Sequence, residues 1–246
     1  MKKVIQFFTM FTLLIVSIDA NSTPFQQPSD GLAKEIVYTN GSPYPAPKDG
    51  QYTIAKETVP VTDRDSSSNL IDTRYKAAVD RLQQQAASIE EYAKANHFNT
   101  EYCFLVDMSV PSGKNRFFVY NMKKGSIEYS SLVAHGWGSY DPDNDQLEFS
   151  NTPNSFQTSL GKYRIGNSYN GAFGLAYKLY GLDNTNSKAY ERAIVLHSLT
   201  NFPESETYPD QIPQSAGCPM VSPSFLAILG KYIKSSKKPV LLWIYN

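Results

Sequence analysis

With 246 residues, the chain can form one large domain or two small ones and bury a sizeable core. Lys plus Arg and Asp plus Glu each number 23, so there is no basic footprint for a nucleic-acid partner. Aromatics at 13% against 19% charged residues exclude disorder along the whole chain, and two Cys and three His are too few for a disulfide scaffold or a zinc ribbon.

Met1-Lys2-Lys3, the apolar stretch from Val4 to Ile18 and the small residues Ala20 and Ser22 predict a secretory signal peptide over residues 1–20. The stretch falls short of the roughly 20 residues that span a bilayer; an uncleaved signal anchor is the alternative. No Cys follows it to accept a lipid, and no second run of spanning length occurs. The expectation is therefore an exported protein of the periplasm or cell envelope, with no stable membrane insertion after signal cleavage. Residues 21–68 collect Pro, Ser, Asp, Gly, Asn and Thr, including Pro43-Tyr44-Pro45-Ala46-Pro47 and Ser66-Ser67-Ser68, and predict a flexible linker or extended arm. A folded domain is expected over residues 69–246. It opens with an amphipathic helix, because Ile71, Tyr75, Ala78, Val79, Leu82, Ala86, Ile89, Tyr92 and Ala93 recur at three- and four-residue steps up to about Ala95.

After the helix the period changes. Tyr102 to Met108, Arg116 to Asn121 and Ile127 to Ala134 are short β-branched and aromatic runs. Their separators, Pro111-Ser112-Gly113 and Lys124-Gly125-Ser126, have the turn chemistry and brevity of antiparallel hairpins. A loop rich in Asp, Asn and Pro (Tyr140 to Asn154) precedes further strands at Gly161 to Gly166, Ala193 to His197 and Pro239 to Tyr245. Before the last strand, Ser222 caps a helix with Pro223 at its first position, continuing through Phe225, Leu226, Ile228 and Leu229. The class is mainly β with a few short helices, and strand order does not follow from the pattern.

The chemistry-bearing residues lie late in the chain. Cys218, in Ser215-Ala216-Gly217-Cys218-Pro219, is a candidate nucleophile: Gly217 permits close backbone approach, and the amides of Gly217 and Cys218 can face a developing oxyanion. The helix starting at Ser222 would lower its thiol pKa. The alternative is a Cys103–Cys218 disulfide, against which Cys103 sits between Tyr102 and Phe104 in a strand-like run. His197 ends an apolar run and suits a general base, provided a third group fixes its tautomer; a backbone carbonyl suffices.

His197-Ser198, a loop, and Ser215-Ala216-Gly217-Cys218 together resemble the L,D-transpeptidase (YkuD) catalytic signature. In that family, a His followed by a residue lending its backbone carbonyl precedes a Ser/Thr-His-Gly-Cys-apolar-Asn/Arg segment. Ala216 stands here where His is usual, and Met220 where Asn or Arg is usual. The chain is more closely similar to the divergent murein L,D-transpeptidase branch, through Val133-Ala134-His135-Gly136-Trp137-Gly138-Ser139, Phe149 to Pro153, Ser159 to Tyr163, Gly181-Leu182-Asp183, Arg192 to His197, and Gly217-Cys218-Pro219. Phe173 occupies a place where many relatives carry His.

The resemblance implies a β-sandwich or barrel-like catalytic domain with no metal or organic cofactor. Cys218 would attack the L,D bond of a peptidoglycan stem peptide, with His197 as base and Ser198 lending its carbonyl. Gly217 and Ser215 would form the oxyanion or motif segment, and His135, Tyr169 and Gly171 would contact substrate. An amine acceptor gives a cross-link; water gives L,D-carboxypeptidase trimming. Acylation by carbapenems is a further implication. For His135 a turn residue bonding backbone is the alternative. The loop Asp141-Pro142-Asp143-Asn144-Asp145 lacks the Gly and distant Glu of an EF-hand and reads as a solvated turn. Three rivals remain: a papain-like peptidase using Cys103, a zinc hydrolase that lacks any His-Glu-x-x-His, and an inactive wall-binding module.

Overall fold

The computed structural model describes residues 64–141 and 146–246, with backbone alone for 64–75. The expected signal peptide, the arm up to residue 63, and residues 142–145 of the acidic loop lie outside the described residues. Helix α1 spans Arg64–Ala95, so its first residues belong to the segment expected to be arm. Its buried stripe is Ala78, Leu82, Ala86, Ile89 and Ala93, the spacing that puts one face on a core. It stops where His97 turns left-handed (φ 61) and the Phe98 amide reaches back to the Ala93 carbonyl at 3.0 Å. No helix among the described residues is long and apolar enough to cross a membrane.

The domain is mainly β. Strands β1 (Tyr102–Asp107), β2 (Phe117–Asn121) and β3 (Ser126–Ser131) form the two expected antiparallel hairpins. A small separate pair, β4 (Tyr140–Asp141) and β5 (Gln146–Leu147), follows. Then come β6 (Gly161–Gly171), β7 (Gly174–Gly181), β8 (Val195–Ser198), β9 (Met220–Val221), helix α2 (Pro223–Ser235) and β10 (Leu241–Tyr245). All but β4 and β5 join one eight-stranded sheet in the order β3-β2-β1-β10-β6-β7-β8-β9. The β1–β10 and β8–β9 pairs are parallel and the rest antiparallel, so the sheet is mixed. Two elements depart from the sequence reading. β6 runs on to Gly171 through a bulge between Ile165 and Ser168, and β7 was not anticipated at all.

Alternation along the strands divides the core in two. Phe104, Val106, Tyr163, Tyr177, Leu179 and Leu196 join the α2 residues Phe225, Leu226 and Leu229. Cys103, Leu105 and Leu241 instead join Leu82, Ala86 and Ile89 of α1. The sheet is therefore apolar on both faces over its central strands, as burial under helices on both sides requires. Arg81 of α1 grips the fully buried Asp107 at the end of β1, with Nε and Nη2 3.0 and 2.9 Å from Oδ2.

The fully buried Arg116 braces the chain leading to the site. Its Nε and Nη2 donate to the Val133 carbonyl at 3.0 and 2.9 Å, Nη1 donates to the Val110 carbonyl at 3.1 Å, and Nη2 also donates to His135 Nδ1 at 2.9 Å. Burial lowers the guanidinium pKa to about 9, still protonated at neutral pH. Burial and the adjacent Arg116 charge push the His135 pKa down to about 3. The Arg116→Met variant is expected to lose on the order of 3 kcal/mol in chemical denaturation, because the buried Val133 carbonyl and the half-buried Val110 carbonyl lose their donors. Since the unfolded imidazole binds its proton near pH ~6.5, folded stability should fall as pH drops from there towards about 3. His135→Gln should flatten that slope of denaturant midpoint against pH.

Candidate active site

Two elements converge where the sheet ends. β8 pairs with β7 and with β9, and these registers set His197 opposite both Ala176 and Met220. Leu196 consequently enters the α2 core, and His197 points to the other face, as strand alternation demands. The His197 Nδ1 lies 3.1 Å from the Ser198 carbonyl oxygen. A carbonyl only accepts, so Nδ1 carries the proton and Nε2 holds the free lone pair. Burial lowers the His197 pKa, partly offset by the Ser198 carbonyl, and the ring is neutral at neutral pH. Phe173, more than half exposed at the β6–β7 turn, stacks on the imidazole with centroids 5.2 Å apart and planes 24° apart.

Cys218 sits in a turn held mainly by Ser215. The Ser215 hydroxyl donates to the Cys218 carbonyl at 2.6 Å and accepts from the Gly217 amide at 3.1 Å. The Ser215 amide donates to the His135 carbonyl at 2.9 Å, and the Trp137 amide to the Ser215 carbonyl at 2.8 Å, forming a short parallel bridge between the two segments. Gly217 has φ +111, and a Cβ there would stand 2.8 Å from the Gln157 carbonyl oxygen. At Gly136 a Cβ would stand 2.0 Å from the Phe156 carbonyl oxygen and 2.9 Å from the Gly217 Cα, so only glycines allow this crossing.

The half-buried Cys218 thiol lies 3.5 Å from the Val195 amide and 3.9 Å from the Ala193 carbonyl. Burial raises its pKa, against the pull of the Val195 amide and the nearby Arg192 charge. This corrects the expected lowering by the following helix. β9 intervenes, and the cap of α2 is occupied: Ser222 accepts from the Phe225 amide at 3.2 Å and donates to Glu204 at 2.7 Å. Both cysteines are free. Cys103 is wholly buried on the α1 side of the sheet with its pKa pushed strongly upward, so neither the disulfide nor the papain-like rival has support.

The other candidates divide. The Gly217 amide is spent on Ser215, so of the two expected oxyanion donors it is the Cys218 amide that makes no hydrogen bond among the described residues. His135 is near Cys218 along the backbone, but its imidazole turns away: Arg116 holds Nδ1 and Gln214 lies 3.3 Å from Nε2. It walls a cavity of about 450 Å³ together with Arg116, Tyr140, Tyr208 and Asp210; Cys218 does not line this cavity. Tyr169 pairs with Ala176, which pairs with His197, so Tyr169 and His197 share one face of the sheet. A Cβ at Gly171 would press the Tyr169 ring at 3.1 Å. Met220 is buried with Leu132, Ala134, Phe202 and Ile212, while Ala216 is exposed.

Arg192 was missed by sequence reasoning. Its Nη1 donates to the Ser150 carbonyl at 2.7 Å and its Nη2 to the Gln157 carbonyl at 2.6 Å, which places a cation beside Cys218 and holds the 150–157 segment against Gly217. The only hint was its place at the head of the segment leading to His197.

No curated protein matches the chain. Among solved structures it is similar to Bd1075 of Bdellovibrio bacteriovorus, at 17% identity and TM-score 0.37, over 60% of this chain and 49% of that one. It is also similar to the helical cell shape determining protein Pgp2 from Campylobacter jejuni, at 12% identity and TM-score 0.39, over 59% and 47%. A third is L,D-transpeptidase 1 from Mycobacterium tuberculosis, at 10% identity and TM-score 0.30, over 59% and 62%. The chain spans about half the length of the first two. The family described as L,D-transpeptidase catalytic domain matches residues 73–245, which takes in every strand and both candidate reactive residues, and the chain belongs to that family.

Proposed function

We propose that the protein is an exported murein L,D-transpeptidase that acts on peptidoglycan stem peptides through a thioester on Cys218. The observation that carries this reading is the bond from His197 Nδ1 to the Ser198 carbonyl, which leaves Nε2 as the proton acceptor on the strand paired with the Cys218 segment. The apolar stretch from Val4 to Ile18 supports export.

Thiol and imidazole both begin neutral, because burial raises one pKa and lowers the other. As Sγ attacks the carbonyl carbon of the L,D bond, Nε2 takes the thiol proton, and the carbonyl π pair moves onto oxygen, facing the Cys218 amide. Collapse of this oxyanion breaks the C–N bond, and the terminal D-residue leaves as an amine carrying the proton held by His197. The thioester then meets an acceptor amine, which passes a proton to Nε2 while its nitrogen bonds to the acyl carbon. The sulfur leaves and recovers that proton. Water in place of the amine yields a carboxylate, the trimming reaction.

Incubation with tetrapeptide muropeptides, read by mass spectrometry, tests the reading. Wild type should release the terminal D-residue, and Cys218→Ala should abolish turnover with an unchanged circular dichroism spectrum; cross-linked products would mark the transpeptidase, and trimmed stems alone the carboxypeptidase. Acylation in His197→Ala should slow by roughly a hundredfold to ten-thousandfold, the usual loss for a general base. Meropenem treatment should give one adduct on the Cys218 peptide, absent in Cys218→Ser, without prior reduction.

The neutral starting pair has its own pH signature. The imidazole loses its proton below the ordinary value of ~6.5, so the acid limb of acylation should lie lower than that. Alkylation of Cys218 by iodoacetamide should climb through alkaline pH, above the ordinary thiol value of ~8.5, without a plateau near neutrality. A plateau at pH 6 to 7 would mean a preformed thiolate–imidazolium pair.

A further inference from the structure

The sheet face that α1 covers over β1 and β10 continues across β6 and β7, where it carries a different set of side chains. Arg164 and Tyr180 are cross-strand partners, and the guanidinium carbon sits 3.9 Å from the Tyr180 ring centroid. Tyr190 stacks on Tyr180 at 5.4 Å with planes 9° apart. Lys178 Nζ lies 5.9 Å from the Tyr190 ring and 6.0 Å from the Tyr169 ring. These groups form a continuous strip from Arg164 through Tyr180, Tyr190 and Lys178 to Tyr169, the residue that shares its face and cross-strand row with His197.

The strip has the marks of a prepared surface. A Cβ at Gly166 would come within 2.5 Å of Tyr180 Cε2, so the glycine lets that ring lie against β6. Tyr190 is 48% exposed and Tyr169 39%, although burial under a helix would suit both. Among the described residues neither Arg164 nor Lys178 has a carboxylate partner, whereas Lys162 on the same strand pairs with Asp183 at 3.4 Å. Two cations are thus held over aromatic rings with their charge uncompensated by the protein. The exposed rings of Tyr190 and Tyr169 can each take the C–H face of a pyranose, and the cations beside the rings take carboxylates carried by the same chain. With balanced charge overall, the protein lacks the field that a nucleic acid would need.

We propose that this strip binds a partly peptide-free amino-sugar chain, whose unsubstituted lactyl groups end in carboxylates, and holds it while a peptide attached to a neighbouring unit reaches Cys218. The inference rests on the wall-directed reading of the site above. Its consequence is that recognition of the sugar chain and turnover of the peptide are separable.

The test uses the whole protein with peptide-free glycan strands, stripped by an amidase so that each lactyl group ends in a free carboxylate, and isothermal titration calorimetry. Neutral chitin oligomers of equal length and a single-stranded oligonucleotide are the comparisons. Strands should bind more tightly than chitin oligomers, and the preference should shrink with added salt. Tyr190→Ala and Lys178→Glu should each weaken strand binding by about tenfold, and Tyr190→Phe should retain it. Both weakened variants should turn over a free tetrapeptide within about twofold of wild type, yet lose about tenfold, through KM, on a stem linked to a glycan whose neighbouring units are peptide-free. Unchanged strand binding in both variants, equal losses on free and linked peptide, or preferential binding of the oligonucleotide would overturn the proposal. Strand binding without turnover of any stem peptide would leave the strip and remove the catalytic reading; turnover without strand binding would do the reverse.

Discussion

Everything at the site depends on a parallel ladder two residues long. β8 and β9 pair His197 with Met220 and Ser198 with Val221, and the Leu199 amide extends the ladder to the Val221 carbonyl at 3.2 Å; this pairing carries the candidate base on one strand and follows the candidate nucleophile by two residues on the other. So short a pairing has little stability of its own and is held from outside. The Ala134 amide donates to the Met220 carbonyl at 2.9 Å, and Met220 is packed into its own apolar cluster. On the far side the Ser222 cap starts α2 directly after β9, and Phe225, Leu226 and Leu229 root that helix in the main core. A register slip of one residue would turn His197 into the core and Leu196 out of it.

The buried charges serve the same end. Arg116 does not meet a carboxylate; it spends its donors on the Val133 and Val110 carbonyls and on His135, thereby fixing the chain that pairs with Ser215. Arg192 likewise spends its donors on the carbonyls of Ser150 and Gln157 and presses that segment against Gly217. Each guanidinium acts as a fork between irregular segments whose carbonyls no strand would satisfy, a task that its planar set of donors suits and that a lysine would not fulfil.

Local pattern and tertiary context divide what the sequence makes legible. The helical stripe from Ala78 to Ala93, the hairpin turns and the Ser222 cap are short-range features, and their residues announce them. β7 carries an alternation of its own, with Tyr177 and Leu179 facing the core against Lys178 and Tyr180, but glycines bound it and tyrosines occupy both faces, which blurs the period. The continuation of β6 is hidden by its bulge, where Gly166 and Asn167 read as a turn. Motif order makes Cys218 and His197 legible as a candidate pair. Their protonation is not legible, because sequence proximity to a helix start says nothing of the strand that separates thiol from helix, or of the burial that outweighs both cation and amide. Arg192 shows the same limit, since its partners are backbone oxygens far along the chain.

The alternation of β6 and β7 links His197 to its surroundings. Ala176 is the smallest side chain in the row that runs from Tyr169 to His197. Phe173 stacks on one face of the imidazole from the turn, while the Ser198 carbonyl holds Nδ1 and burial lowers the ring's pKa. The ring edge bearing Nε2 stays clear of this stack, because stacking engages a face and leaves the edge open. The hairpin that sets Phe173 on His197 is therefore the one that orders Tyr169 and Lys178 on the same face, and strand pleating sets the spacing along that face.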